Sequence, residues 1–299
     1  MRLSLVLCLA ACAGLSAQVR YAPDTHAVTI DGKPFTIFNY GVDANKPFLA
    51  PVRSASGKIV TRGFPMENIA GESRDHLHHR GLWFSYDDVN GVKFWENDPS
   101  YTKGTIGKIV VREAQWKDGA LYATMDWNDP TGKTLLVETR KMAFTGDAKN
   151  RAIDFEITLK AAVDVTFGDT KEGAFAMRLN DAFTEKRGAK ITDADGRAGM
   201  KDVWGKRSNW VDYAAELDGE RLGVAIFDHP RSARNPTYWH ARDYGLFALN
   251  PFGRQAFDPK QEESFWKLPS GEKVTFLWRV VIHPGDARVA DLYKEYAAH

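Results

Sequence analysis

Three of the eight histidines fall within four positions, in Asp75-His76-Leu77-His78-His79-Arg80-Gly81, directly before the apolar run Leu82-Trp83-Phe84-Ser85-Tyr86. Imidazoles ligate metals, exchange protons near neutral pH and hydrogen-bond polar ligands. If the segment is extended, alternation puts His76, His78 and Arg80 on one face and Asp75, Leu77 and His79 on the other. The first face then meets a ligand, with Asp75 and His79 behind it. The spacing His76-x-His78 is like that of a cupin metal site. The carboxylate that usually follows is replaced by Leu82 and Trp83, so a transition metal would need a distant third ligand such as His240. No cofactor is the favoured expectation.

Two further blocks carry ionisable chemistry. In Gly168-Asp-Thr-Lys-Glu-Gly-Ala-Phe-Ala-Met-Arg178, an acid–base–acid turn feeds an apolar strand. Glu172 at its mouth is placed to be a general base, or else is a solvated loop acid. Arg178 lies within the apolar stretch, where a charge must find an acid or a ligand. The block from Asp228 to Gly253 is cut by Pro230, Pro236 and Pro251 into loop pieces, where binding residues tend to sit. There His240 and Arg242 share a face if extended, and Trp239 with Tyr238 forms either a stacking platform or core. The catalytic candidates are His76, His78, Glu172 and His240. The substrate-binding candidates are His79, Arg80, Arg178, His229, Trp239, Arg242 and Asn250.

The elements that must position these residues read as strands. Short apolar and aromatic runs, punctuated by Gly, Asp, Asn and Pro, recur through most of the chain. His26–Ile30 and Lys33–Phe38 form a hairpin about Asp31-Gly32. Lys108–Arg112, Ala120–Trp127 and Lys133–Arg140 make a meander, and Arg151–Leu159 alternates strictly between apolar and polar positions. Further strands are expected at Val163–Phe167, Phe175–Leu179, Trp210–Glu216, Leu222–Phe227, Gly245–Asn250 and Lys273–His283. Helical periodicity appears at the C-terminal end, in Ala287–Ala297. The fold class is therefore all-β, a large antiparallel β-sandwich with a short C-terminal helix, occupying residues 18–299 as one domain.

Composition narrows the function classes. The formal net charge is +1 and the basic residues form no block, which argues against a nucleic-acid partner. Nine Trp, seventeen Phe and ten Tyr suit sheets and sugar-stacking clefts alike. Residues 1–17 read as a signal peptide: Arg2, an apolar stretch from Leu3 to Ala11, and Leu15-Ser16-Ala17 before the cut at Gln18. The rival reading, Leu9-Ala10-Ala11-Cys12, would lipid-anchor the chain at Cys12. Both cysteines, Cys8 and Cys12, lie in this segment, so the mature chain holds no disulfide framework. No later apolar run approaches the ~20 residues of a membrane span. A periplasmic or secreted location follows.

The blocks Lys46-Pro-Phe-Leu…Pro51, Asp75-His-Leu-His-His-Arg-Gly-Leu-Trp83, Gly168-Asp-Thr-Lys-Glu-Gly173 and Tyr238-Trp-His-Ala-Arg-Asp-Tyr-Gly245…Asn250-Pro-Phe252 resemble the bacterial PmoA-like family, of unknown function. The label methane oxygenase sometimes given to it does not suit a chain without membrane spans. The resemblance implies an exported, β-rich protein in the company of carbohydrate catabolism, with the galactose-mutarotase-like supersandwich as the variant in view. The function expected is His/Glu acid–base chemistry on a sugar or oligosaccharide, of epimerase, lyase or hydrolase type. The alternatives are a non-catalytic sugar binder and a His-ligated metal enzyme. Two-carboxylate hydrolysis is less attractive, because Glu172 lacks an evident partner.

Overall fold

The computed structural model describes residues 17–41 and 43–299. Nearly all of the predicted signal segment, with Cys8 and Cys12, lies outside the described residues. The strands in chain order are β1 Val19–Ala22, β2 Ala27–Ile30, β3 Lys33–Asn39, β4 Phe48–Leu49, β5 Leu82–Tyr86 and β6 Lys108–Lys117. There follow β7 Ala120–Asn128, β8 Thr134–Gly146, β9 Arg151–Ala161, β10 Val165–Phe167, β11 Gly173–Arg178 and β12 Lys190–Asp193. The last are β13 Trp210–Leu217, β14 Glu220–Asp228, β15 Tyr238–Ala241, β16 Leu246–Asn250, β17 Trp266–Leu268 and β18 Lys273–Pro284. Among the described residues the α-helices are α1 Met200–Val203 and α2 Val289–Ala297, with short 3-10 turns at Asp181–Phe183 and Glu185–Arg187. Among the described residues no helix is long and apolar enough to cross a membrane.

Two eight-stranded antiparallel sheets carry the architecture, so the expected β-sandwich with its C-terminal helix is what the chain forms. Sheet I runs β1-β2-β3-β4-β5-β11-β16-β15, and sheet II runs β12-β13-β14-β18-β9-β8-β7-β6. The hairpin and meander turn as expected: Asp31-Gly32 and Asp118-Gly119 both take positive φ at both positions, as a two-residue turn matching strand twist requires. Strand β9 alternates in burial along its length, with Ile153, Phe155, Ile157 and Leu159 inward. Between the sheets Trp278 stacks on Phe276 and Phe175 at 5.0 Å and meets Phe84 at 5.7 Å, while Phe84 meets Trp127 at 5.6 Å. Helix α2 covers the outer face of sheet II, where Tyr296 packs with Ala225, Phe227 and Val281.

Register decides which residues of sheet I face outward. Directly paired residues lie on one face, and Phe48, Trp83, Ala176, Ala248 and His240 are paired in succession across β4, β5, β11, β16 and β15. That row faces away from sheet II, because the flanking residues Phe84, Phe175, Leu249 and Trp239 belong to the inter-sheet core. Yet β5, β11 and β16 are buried at every position. A second covering therefore lies on the outer face, and the chain supplies it from the segments between β4 and β5 and between β5 and β6.

In sheet II one buried ion pair is fixed by its partners. His283 Nδ1 faces Pro284 O at 2.8 Å and Nε2 faces Asp212 Oδ1 at 3.1 Å, both acceptors, so the ring is held as imidazolium. Burial opposes that charge, but Asp212 and Pro284 outweigh it and raise the pKa. The resulting stability is present in full below the unfolded histidine value of about 6.5 and is lost as pH rises through the higher folded value. Asp212→Asn is expected to cost about 1–3 kcal/mol at pH 6. It should also flatten the decline in stability above pH 6.5, as measured by urea unfolding across pH 5.5–8.5.

Candidate functional site

The outward row of sheet I is the floor of the site. Phe48, Ala50, Trp83, Trp95, Ala176, Leu246 and Ala248 form one apolar cluster, edged by Ala44, Met66 and Tyr244. The alanines on the two central strands leave room for Trp83, and Trp95 from the segment after β5 lies over it at 5.0 Å. Lys46 fastens that segment. Its Nζ donates to Trp95 O at 2.7 Å and to Asn97 Oδ1 at 2.6 Å, and burial, reinforced by Arg80, pushes its pKa down to about 7. Arg80 in turn bonds Asp98 at 2.7 Å.

The histidine segment is not extended, which corrects the alternating reading of Asp75–Arg80. Strand β5 begins only at Leu82; His76 has φ 47° and Gly81 φ 55°. A side chain at Gly81 would run into Leu49 O, so the close approach of the two backbones demands glycine and breaks the strand there. A turn closed by His79 N donating to His76 O, 3.0 Å, then brings all three rings together. His76 stacks on His79 at 4.6 Å and 2°, while His78 stands edge-on to His79 at 4.4 Å and to His76 at 5.7 Å. The stack continues to Trp83 beyond His79, at 5.3 Å, and to Tyr244 beyond His76, at 5.4 Å and 5°.

Two fully buried arginines hold this turn. Arg62 donates to Asp75 Oδ1 at 2.6 Å and to the Asp75 and His76 carbonyls at 2.9 and 3.2 Å. Arg178, on β11, meets the same carboxylate at 2.7 Å, and its Nη1 lies 3.3 Å from His79 Nδ1. Guanidinium only donates, so His79 Nδ1 accepts and its Nε2 carries the proton. The third partner of Asp75 is His76, whose Nδ1 lies 3.0 Å from Oδ1. Burial pushes the Asp75 carboxyl up, but His76, Arg178 and Arg62 together hold it well below the ordinary carboxylate range.

Tyr244 joins the other blocks to the histidines. Its ring lies 4.8 Å from the Arg178 guanidinium and 5.5 Å from that of Arg242, while Glu172 and Asp75 both bear on its hydroxyl. Burial raises that hydroxyl's pKa against the pull of the two arginines. His240 occupies the far end of the floor row, with Nδ1 2.9 Å from Lys171 O. A carbonyl only accepts, so Nδ1 carries the proton and Nε2 is the acceptor. The predicted blocks thus meet around one surface, with Glu172 part-buried beside Lys171 at its rim.

The histidines differ sharply in what they can do. Burial and the nearby Lys46 push His78 down to about 2, burial and His78 push His79 well below its usual value, and burial and Lys171 push His240 down to about 3. All three stay neutral at working pH and are hydrogen-bonding groups. His76, with 41% of its side chain exposed, is the ring of the cluster that is open to a ligand. Among the described residues no group of three or more His, Cys, Asp or Glu side chains is spaced to hold one metal ion.

Two expected binding residues lie elsewhere, and a third is taken up by backbone. His229 belongs to the outer face of sheet II, where its ring meets Tyr296 edge-on at 4.9 Å and its Nδ1 accepts from Arg231 N at 3.0 Å. Trp239 points into the inter-sheet core and donates Nε1 to Ser208 O at 2.8 Å. Asn250 is buried and occupied by backbone, accepting from Phe252 N and Gly253 N at 2.9 Å and donating to Thr170 O at 3.0 Å. Arg80 braces the Asp98 segment and shares no strand face with His76 and His78. Arg62, Trp95 and Tyr244 were not singled out from sequence. Tyr244 lay in the third block, and its signal was the arginine two positions before it.

The class defined by fold and site is a two-sheet antiparallel sandwich with a histidine–arginine pocket on one outer face. Residues 25–297 match the model of the Family of unknown function (DUF6807), and the chain belongs to that family. No curated protein matches the sequence. Among solved structures it is similar to the alpha-galactosidase from Lactobacillus brevis (9% identity, TM-score 0.43, covering 90% of this chain and 39% of that one). It is similar too to the GH36 alpha-galactosidase AgaB from Geobacillus stearothermophilus (11%, 0.44, 89% and 40%). A galactose mutarotase-like protein from Clostridium acetobutylicum is a further likeness (7%, 0.32, 59% and 67%). This chain thus spans about two fifths of either alpha-galactosidase.

The arginine clamp and the rim glutamate should separate in a stability measurement. Asp75→Asn leaves Arg62 and Arg178 without their anion and is expected to cost about 2–4 kcal/mol, while Glu172→Gln stays within about 0.5 kcal/mol. Urea unfolding of both variants at pH 7 checks the contrast.

Proposed function

We propose that this protein is an exported carbohydrate-active enzyme that moves protons to and from a sugar at the surface built around His76. The observation that carries the reading is the Asp75–His76 pair: its 3.0 Å contact orients a half-exposed imidazole, stacked on Tyr244 beneath the guanidinium groups of Arg178 and Arg242. His76 is the acid–base group, with Asp75 setting its tautomer. Glu172 is the opposing acid or base, and the Tyr244 hydroxyl is a further donor. The positive charge of the two nearby guanidinium groups favours an oxygen that gains negative charge in the transition state. Chemistry of epimerase, lyase or hydrolase type at a sugar carbon or oxygen fits these groups. The stretches that resemble PmoA-like proteins are those that line this surface, which supports reading the site as belonging to that grouping.

A second reading has its own support. Three of the four imidazoles on this face are held neutral by burial, as suits a protein that hydrogen-bonds a sugar and does nothing further to it. The two readings part on turnover. His76→Asn, Glu172→Gln and Tyr244→Phe, assayed on a panel of glycosides and oxidised sugars, are each expected to lower turnover by ~10²–10⁴-fold with affinity held within a few-fold. Binding by the wild type with no turnover of any panel member would establish the binder instead.

A further inference from the structure

Two clefts open on opposite edges of the apolar floor. One, of about 550 Å³, is lined by Ser73, Asp75, Arg178, Asp181, Asp243 and Tyr244, with Lys186 and Arg187 at its outer wall. The other, of about 520 Å³, is lined by His26, Asn39, Tyr40, Phe48, Met66 and Arg80. Either is of a size typical for a small-molecule site. They are joined beneath: Phe48, Met66 and Ala44 of the second cleft and Tyr244 of the first all pack on the cluster centred on Trp83 and Trp95. The histidine turn stands above the join, with Arg80 leading from His79 into the second cleft.

The clefts differ in chemistry. The first mixes acids and bases in near balance, Glu72, Asp75, Asp181 and Asp243 against Arg178, Lys186 and Arg187. Such a lining serves a ligand rich in hydroxyls, which donate and accept alike, better than a polyanion. The second presents an aromatic wall. Tyr40 is 36% exposed, one of few large apolar side chains left open, and its ring is braced by His26 at 4.8 Å. His26 is held in turn by the Tyr21 hydroxyl, 2.7 Å from Nδ1, and Tyr21 stacks on Trp116 at 5.5 Å and 11°. A ring so backed is a rigid stacking surface. Beside it Asn39 spends its amide donors on Ile37 O and Ala50 O, 2.9 and 2.8 Å, so what it offers a ligand is its Oδ1 acceptor.

We infer that the ligand is an oligosaccharide seated across the histidine turn, one sugar unit among the charged groups beside Tyr244 and another, further along the same chain, stacked on Tyr40. The inference rests on the sugar-active reading and names the length of its substrate. Calorimetric titration with gluco-, galacto- and xylo-oligosaccharides of one to four units tests it, on the wild type and on Tyr40→Ala, a substitution at an exposed ring that spares the core. Affinity should rise with chain length within at least one series. Tyr40→Ala should cost the longer ligands roughly 3–10-fold while leaving the monosaccharide unchanged, and Tyr40→Phe should restore the gain. Length-independent binding, or an equal loss for monosaccharide and oligosaccharide in Tyr40→Ala, overturns the two-cleft inference and spares the sugar reading. Failure of every series to bind overturns both.

Discussion

Two buried guanidinium groups sharing one carboxylate are the constraint on which the site depends. Arg62 comes from the segment after β4, Arg178 from the centre of sheet I, and Asp75 from the turn between them. Neither arginine has solvent to fall back on, and stripping a charge of its partner in such a place costs several kcal/mol. The histidine turn is therefore tied to the sheet at the position where both cations are satisfied. The rest follows from that tether: His76 is aimed by Asp75, His79 accepts from Arg178, and Tyr244 stacks where the turn leaves its flat side open. The covering layer on sheet I is thus held by charge at one end and, through Lys46, by hydrogen bonds to Trp95 and Asn97 at the other.

The parts of the fold legible in sequence are those whose strands have one dry and one wet side. The Asp31-Gly32 and Asp118-Gly119 turns and the alternation of Arg151–Leu159 declare themselves because solvent enforces a period of two. Where both faces are covered that period vanishes. Strands β4 and β5 are short and wholly buried, so nothing in Asp75–Tyr86 marked where the turn ended and the strand began. Gly81 did so, through a contact with Leu49 that only the folded chain reveals. The block from Asp228 to Gly253 misled for a related reason. Its neighbours in sequence part company in space, because β14 belongs to sheet II and β15 to sheet I, which sends His229 to the opposite side of the sandwich from His240. Trp239 and His240 part again by simple alternation across β15.

What sequence did convey was the company of residues on the outer face. His76, Arg178, Glu172, His240 and Arg242 came from three separated stretches, and pairing through β5, β11, β16 and β15 is what assembles them. Their division of labour was hidden, since it turns on burial. Identical imidazoles two or three positions apart become a group open to ligand in one case and permanently neutral fixtures in the others.

That neutrality has a geometric consequence. His79 is bound to accept at Nδ1 and His240 to donate there, so their Nε2 atoms carry opposite and permanent polarity, one a donor and one an acceptor. Moving the surroundings between mild acid and mild base leaves the pattern intact. A surface whose donors and acceptors cannot exchange roles presents one fixed pattern of polarity, and no shift of a proton in the wall can rewrite it.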